Sequence, residues 1–251
     1  MLKEIVIAIQ SYFKAHRFIS KHKLWKWIII PGILYMLLFV FSMYFFGKTA
    51  TSTVDHFSSL LKDWVQKIDL GWVSFLISIA GLLLWLLLML FYFSLFKYLF
   101  LIIGSPLFAY LSEKTESILD GKDFPISFKQ LMKDILRGVR LALRNTLWQT
   151  VYTIAVIMLS FVPLVGWAAP VLSLFIECYY YGFSMLDYSC ERHKLTTTQS
   201  ITFIGNHKGL AIGNGFVFYL MHLLPFVGWV LAPSYAVVAA TISLYHQKEE
   251  F

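Results

Sequence analysis

The chain has 251 residues, of which 59% are apolar and only 14% are charged. A soluble domain carries about 25% charged residues, so the composition excludes an ordinary water-soluble enzyme and predicts an all-α integral membrane protein. The net charge of +7 is more typical of membrane topology and lipid headgroups than of nucleic-acid binding, and we expect no nucleic-acid partner.

The first predicted elements are one interfacial helix and two membrane spans. Residues 1–26 combine an apolar stripe with flanking lysines, as in a helix that lies in the membrane interface. Uncharged runs then predict transmembrane helices over residues 27–47 and 72–103, because about 20 apolar residues cross roughly 30 Å of hydrocarbon. Lys48–Asp69, between the two spans, is predicted to be a polar excursion.

Cytoplasmic helices are predicted over residues 105–146. Gly104-Ser105-Pro106 predicts a helix break, with Ser105 as the N-cap of a new helix and Pro106 as its first helical residue. A further helix, Phe128–Asn145, carries a basic stripe that faces either anionic lipid headgroups or the substrate anion. The stripe consists of Lys129, Lys133, Arg137, Arg140 and Arg144.

The last hundred residues contain one pattern twice, in the segments 147–188 and 209–245. Pro163–Trp167 and Pro225–Trp229 both read Pro-x-Val-Gly-Trp, and each is followed by Ala-Pro. The flanking apolar arms are shorter than the roughly 30 Å needed to cross a bilayer. We interpret both segments as hemi-penetrating hairpins that turn at these tips, with four tilted crossing arms as the alternative.

The distribution of basic residues predicts the topology. Most of the 21 Lys and Arg residues fall before the first span, between the second span and the first hairpin, or between the hairpins. The rule that positive charge stays inside places these segments and both termini in the cytoplasm. We expect one membrane domain over residues 1–251.

Two ionisable residues of the first hairpin are candidates for function. Glu177 and Asp187 are either part of a pathway or partners of Arg137, Arg140 or Lys97 in structural ion pairs. The helix starts at Ser105 and at residues 205–209 present backbone donors to an anion. No nucleotide-binding, hydrolase or metal-binding motif is present, so we expect no enzymatic activity, no cofactor and no ATP hydrolysis.

Several runs together resemble the CysZ sulfate permeases and the related etoposide-induced-protein family. They are Gly104–Ala109, Leu186-Asp187-Tyr188 and the two Pro-x-Val-Gly-Trp tips. The resemblance implies two long transmembrane helices and two hemi-penetrating hairpins, assembled as homo-oligomers. It also implies a permease in the bacterial inner membrane that admits sulfate without ATP.

The anion-binding turn of that family has a Gly-Leu-Arg-like motif, and this chain departs from it. The matching positions are Lys23, Leu24, Trp25 and Lys26, so the glycine and the first arginine are absent while positive charge is kept. The resemblance implies that the anion binds at Lys23, Leu24 and Lys26, and the helix start at Ser105, with its backbone donors, is a second candidate contact. Glu113 and Asp187 would hold nearby basic residues in place. The alternative function is a non-transporting membrane protein that binds lipid or partner proteins through its basic helices.

Overall fold

The computed structural model describes residues 1–65, 71–121, 128–160 and 168–245, and these residues form α-helices and no strand. The predicted all-helical class is therefore confirmed. The eight helices are α1 (Leu2–Lys21), α2 (Trp25–Val65), α3 (Gly71–Asp120), α4 (Phe128–Ser160), α5 (Ala169–Arg192), α6 (Thr197–Asn206), α7 (Lys208–His222) and α8 (Val227–Tyr245).

Two helical segments in the described part of the chain have the length and apolar composition of a membrane span. They are Trp25–Phe57 and Val227–Tyr245. The first is largely exposed, as expected of a helix that faces lipid, whereas the second is 78% buried inside the protein.

The chain divides into two compact units. One comprises Leu37–Phe100, and the other comprises Met1–Met36 together with Leu101–Phe251. In the smaller unit, α2 and α3 are joined by aromatic contacts. The ring of Phe46 lies 5.6 Å from that of Trp85 and 5.1 Å from that of Tyr92.

The core of the larger unit is built around α8. Residues 232–244 of this helix are all buried, and α1, α5 and α7 pack against it. Its polar groups are satisfied by neighbours, because buried hydroxyls without partners are costly. The Thr241 and Ser112 hydroxyl oxygens lie 3.0 Å apart, and the Asn214 amide donates to the Ala236 carbonyl at 3.0 Å.

Glycines of α7 let its backbone come into direct contact with α1 and α5. A Cβ on Gly213 would lie 2.8 Å from the Cβ of Ala8 on α1, and a Cβ on Gly215 would overlap the carbonyl of Cys178 on α5. Gly182 of α5 in turn packs against the backbone of Ala211. Such close packing stabilises helix pairs in membranes, where the hydrophobic effect does not drive association.

The predicted break at Ser105 is wrong, because α3 continues through Ser105 and Pro106. Proline lacks the N–H that would bond to the carbonyl four residues earlier, which is that of Ile102. The Ser105 hydroxyl donates to this same carbonyl at 2.9 Å, so the helix loses no acceptor partner there. Because the helix is continuous, no helix start at Ser105 exposes backbone N–H groups to an anion.

Two further predicted boundaries lie inside helices. The polar excursion Lys48–Asp69 is helical as far as Val65, and the Thr49 hydroxyl donates to the Phe45 carbonyl one turn earlier at 2.7 Å. The helix Phe128–Asn145 and the arm that follows it form the single helix α4. The tip Pro163–Trp167 lies outside the described residues.

The second hairpin turns slightly earlier than predicted. Its connection is residues 223–226, where Phe226 has a φ of +61°, and Val227-Gly228-Trp229 already form the first turn of α8. The indole N–H of Trp229 donates to the His222 carbonyl at 3.1 Å, which ties the start of α8 to the end of α7.

Candidate functional site

The turn between α1 and α2 holds three of the residues predicted to bind an anion, and we call residues 22–26 the basic turn. The N–H of His22 donates to the Phe18 carbonyl at 3.0 Å, and that of Leu24 donates to the Ile19 carbonyl at 3.1 Å. Between them Lys23 has a φ of +53°. This is the left-handed conformation that glycine usually supplies at the end of a helix. The turn therefore has a glycine-like backbone although its glycine is absent.

The basic turn carries positive charge at its surface. Lys23 and Lys26 are exposed, while Leu24 is buried and anchors the turn. Neither lysine has an ion-pair partner in the described part of the chain. The first two amides of α2, those of Trp25 and Lys26, also have no acceptor among the described residues. Two ammonium groups and two open amides at a helix start are groups suited to an oxyanion.

Aromatic side chains hold the basic turn against the rest of the unit. The rings of Trp27 and Tyr110 of α3 lie 4.2 Å apart. Trp25 meets His16 of α1 edge to face at 6.3 Å, and His16 in turn contacts Tyr235 of α8. Three helices therefore fix the position of the turn.

A second turn repeats the sequence and the backbone of the first, and sequence reasoning missed it. Lys21-His22-Lys23-Leu24 recurs as Arg192-His193-Lys194-Leu195. Lys194 has a φ of +59°, and the amides of residues 193 and 195 donate to the carbonyls of residues 189 and 190 at 3.3 and 3.2 Å. The shared string His-Lys-Leu, preceded by a basic residue in both places, was the available signal.

The two turns differ in their electrostatics. At the second turn, the Leu195 carbonyl accepts from Arg137 at 2.5 Å, and Arg192 pairs with Glu116 at 2.8 Å. The helix that follows is also capped, because the Thr196 hydroxyl accepts from the amide of Gln199. At the second turn, carboxylates pair with the nearby arginines, and the Thr196 hydroxyl caps the helix start. The basic turn has neither kind of partner within the described residues.

Arg137 and Asp187 form the centre of a buried polar cluster between α4, α5 and α6. Their side chains are 15% and 8% exposed and lie 2.9 Å apart. The Arg137 guanidinium also donates to the Ser200 hydroxyl at 2.6 Å, and its Nε lies 3.9 Å from Glu191. Arg137 therefore points into the protein, and it does not share an exposed face with Lys133 and Arg140 as the stripe predicted.

Glu116 is a buried carboxylate that sequence reasoning did not select. It lies on α3 and contacts Arg192 at 2.8 Å and His193 at 3.3 Å. Its signal in the sequence was weak: Ser112, one helical turn earlier, is also buried, and two polar residues at this spacing share one face.

The other predicted residues occupy separate places. Glu177 accepts hydrogen bonds from Gln149 of α4 and, at 2.7 Å, from Tyr219 of α7, so it bridges three helices. Ser105 faces Gly138 of α4, with a Cβ on that glycine 3.8 Å away. Glu113 is half-buried on α3, and Arg140 is exposed on α4.

Comparison with known proteins places this chain in a family. The family described as "Sulfate transporter CysZ/Etoposide-induced protein 2.4" matches residues 11–233. A protein named Sulfate transporter CysZ from Pseudomonas aeruginosa (strain LESB58) is 28% identical over 225 residues, which is 89% of this chain and 88% of that protein.

Two further relatives carry the same name. The one from Pseudomonas fluorescens (strain Pf0-1) is 28% identical over 218 residues, covering 86% of this chain and 83% of its own length. The one from Pseudomonas syringae pv. tomato (strain DC3000) is 25% identical over 217 residues, covering 86% and 79%. The family match spans most of the chain, from α1 into α8, and with the apolar helices it shows an integral membrane protein that belongs to the CysZ/etoposide-induced-protein 2.4 family.

Proposed function

We propose that this protein is a membrane permease for a small inorganic anion of the sulfate class, and that the anion binds at the basic turn. The transport runs without ATP hydrolysis. The relatives named as sulfate transporters support the substrate class. The assignment of the site rests on two amides and two lysines of the turn that have no partner among the described residues.

The contrast between the two turns supports a binding role for the first. A lysine in the left-handed conformation is strained by about 1 kcal/mol or more, and either turn alone is explained as a helix end. At Arg192–Leu195 the surrounding charge is neutralised by Glu116, Asp187 and Glu191. At the basic turn nothing in the described chain neutralises Lys23 and Lys26, so an anion from solution is the natural partner.

In the arrangement that we propose, both hairpins enter and leave the bilayer by the same face. Helix α7 has 15 residues and is therefore about 22 Å long, which is short of the roughly 30 Å hydrocarbon core, whereas α8 has 19 residues and is about 28 Å long. Arm length therefore supports this arrangement through α7 alone. The proposed topology places both termini, the basic turn and residues 192–208 in the cytoplasm of a bacterial inner membrane.

The apolar tip of the second hairpin supports this arrangement. Its large side chains are exposed, with Leu223 at 75% and Phe226 at 66%, and Leu224 and Val227 are similarly uncovered. A tip that emerged into water would place all four in contact with solvent, at a cost of roughly 1.5–3 kcal/mol for each side chain that hydrocarbon would bury. An apolar tip is therefore more stable within the bilayer.

This topology predicts that the tip is protected in intact cells. A Leu224→Cys variant should resist an impermeant thiol reagent added outside, because hydrocarbon surrounds it. Ser52→Cys serves as the matched control, since this exposed residue lies between the two predicted spans and should be labelled rapidly. Labelling of both variants at the same rate would favour four crossing arms.

Two further contacts complete the proposal. Lys133 and Arg140, which are exposed on α4, would contact anionic lipid headgroups at the cytoplasmic surface, together with the interfacial helix α1. The family resemblance implies an oligomer, and we propose a homo-oligomer here as well.

The substrate class is tested by equilibrium binding of labelled sulfate to the purified protein in detergent. We expect saturable binding that selenate displaces and chloride at the same concentration does not, because two lysines and two amides favour a divalent oxyanion. Absence of sulfate binding, together with binding to vesicles that contain anionic lipid, would favour the non-transporting alternative.

A further inference from the structure

Tyr181 of α5 lies in the interior of the larger unit, and its hydroxyl has no hydrogen-bond partner within the described residues. The residue is only 2% exposed. Its ring stacks on that of Phe218 of α7 with centroids 3.6 Å apart, and this contact fixes the direction of the hydroxyl. A buried hydroxyl without a partner is costly, so Tyr181 carries a donor that packing alone does not require.

Two further tyrosine hydroxyls lie near that of Tyr181. The Tyr12 hydroxyl of α1 donates to a backbone carbonyl of α7 at 2.8 Å. The Tyr35 hydroxyl of α2 lies 3.1 Å from Nε2 of His222, whose ring stacks on Phe218 at 5.2 Å. Tyr181 is within electrostatic range of both hydroxyls. Four helices therefore surround one polar region, and we call Tyr12, Tyr35 and Tyr181 the tyrosine cluster.

The tyrosine cluster lies near the middle of the bilayer in the proposed topology. Tyr181, Phe218 and Tyr35 each lie about ten residues, or roughly 15 Å, from the end of their own helix at the proposed cytoplasmic face. Those ends are Arg192 of α5, Lys208 of α7 and Trp25 of α2. Because the hydrocarbon core is roughly 30 Å thick, three helices agree on a depth close to its midplane. Polar groups at such depth are costly and are typical of substrate and ion pathways.

We propose that the anion passes the tyrosine cluster on its way through the membrane, and that the Tyr181 hydroxyl donates a hydrogen bond to it there. This inference rests on the proposed function, since it adds a second site to the same transport path. A neutral donor suits such a site, because conduction needs binding that is strong enough for entry and weak enough for release.

The charged side chains nearest to Tyr181 on α5 are engaged with other helices. Asp187 is bonded to Arg137 at 2.9 Å, so this buried cation is held by a carboxylate and does not trap the anion. Glu177, one helical turn before Tyr181, accepts hydrogen bonds from Gln149 and Tyr219. The unpartnered hydroxyl of Tyr181 is therefore the available donor at this depth.

Tyr181→Phe removes the hydroxyl and keeps the ring, so it tests the donor alone. We expect uptake of labelled sulfate into proteoliposomes to fall about three- to tenfold, as the loss of one neutral hydrogen bond to the anion would give. The melting temperature should not fall, because the hydroxyl has no partner to lose within the described residues. Sulfate affinity in detergent should be unchanged, since the basic turn keeps both lysines.

Tyr180→Phe is the matched control. Tyr180 is the preceding residue of α5, but its ring faces Tyr152 of α4 at 6.3 Å, and we expect wild-type uptake. Wild-type uptake in Tyr181→Phe, an equal loss in Tyr180→Phe, or a loss that accompanies a lower melting temperature would overturn the role of Tyr181 and leave the proposed function intact. If the wild-type protein takes up no sulfate, both proposals fail.

Discussion

Replacing Lys23 and Lys26 together by alanine is expected to weaken sulfate binding by at least about tenfold. Each lysine supplies a charge-assisted hydrogen bond that contributes roughly 1.5–3 kcal/mol when well formed, and exposed groups lie at the lower end of that range. Alanine retains a Cβ, so the backbone strain at residue 23 is unchanged and the fold should melt as before. Binding of labelled sulfate and thermal unfolding in the same detergent measure the two effects.

Lys194→Ala is the matched control for this experiment. Lys194 has the same left-handed backbone and the same neighbouring sequence as Lys23, but carboxylates neutralise the cations around it. Its replacement should leave sulfate affinity unchanged. Equal losses in the two variants would mean that sulfate responds to overall charge, whereas wild-type affinity in the double variant would remove the basic turn from the mechanism.

The second large effect is expected from Asp187→Ala, which should destabilise the protein by roughly 3–5 kcal/mol. Removing the closer partner of a buried ion pair leaves a poorly compensated charge, because Arg137 is only 15% exposed and Glu191 lies at 3.9 Å from its Nε. Sulfate affinity of the folded protein should change little, because Asp187 belongs to the cluster around Arg137 and the basic turn is a separate structure. Denaturant or thermal unfolding measures the loss.

Two further variants separate this explanation from a general loss of charge. Arg140→Ala removes an exposed cation of the same helix and should change stability by less than about 0.5 kcal/mol. Arg137→Met combined with Asp187→Leu removes both charges and should recover much of the stability. If Asp187→Ala unfolds like Arg140→Ala, the ion pair is not a stabilising element.

The sequence was sufficient for the helical class, since hydropathy is a local property. The grouping of Lys23, Leu24 and Lys26 as an anion site came from the family resemblance and stays a prediction. The sequence was insufficient at Ser105, where a single side-chain bond to Ile102 lets the helix pass through a proline. The conformation of Lys23 was also beyond reach, because lysine rarely adopts a positive φ.

Features that depend on distant parts of the chain were the hardest to predict. Glu116 is buried because the end of α5 brings Arg192 to it, and no local pattern on α3 encodes that contact. Arg137 shares a helical face with Arg140 in the sequence, but Asp187, 50 residues later, draws it inward. His16 and Tyr235 meet across 219 positions, so this contact becomes visible only in the folded chain.

The central claim, that this chain moves a sulfate-class anion through the membrane, is tested most directly by uptake of labelled sulfate into proteoliposomes that contain only this protein. With sulfate more concentrated outside the vesicles than inside and no ATP, we expect uptake well above that of protein-free vesicles. The double variant Lys23→Ala, Lys26→Ala should show strongly reduced uptake, and Lys194→Ala should not. Uptake equal to that of empty vesicles, by protein shown to be folded and inserted, would contradict the account.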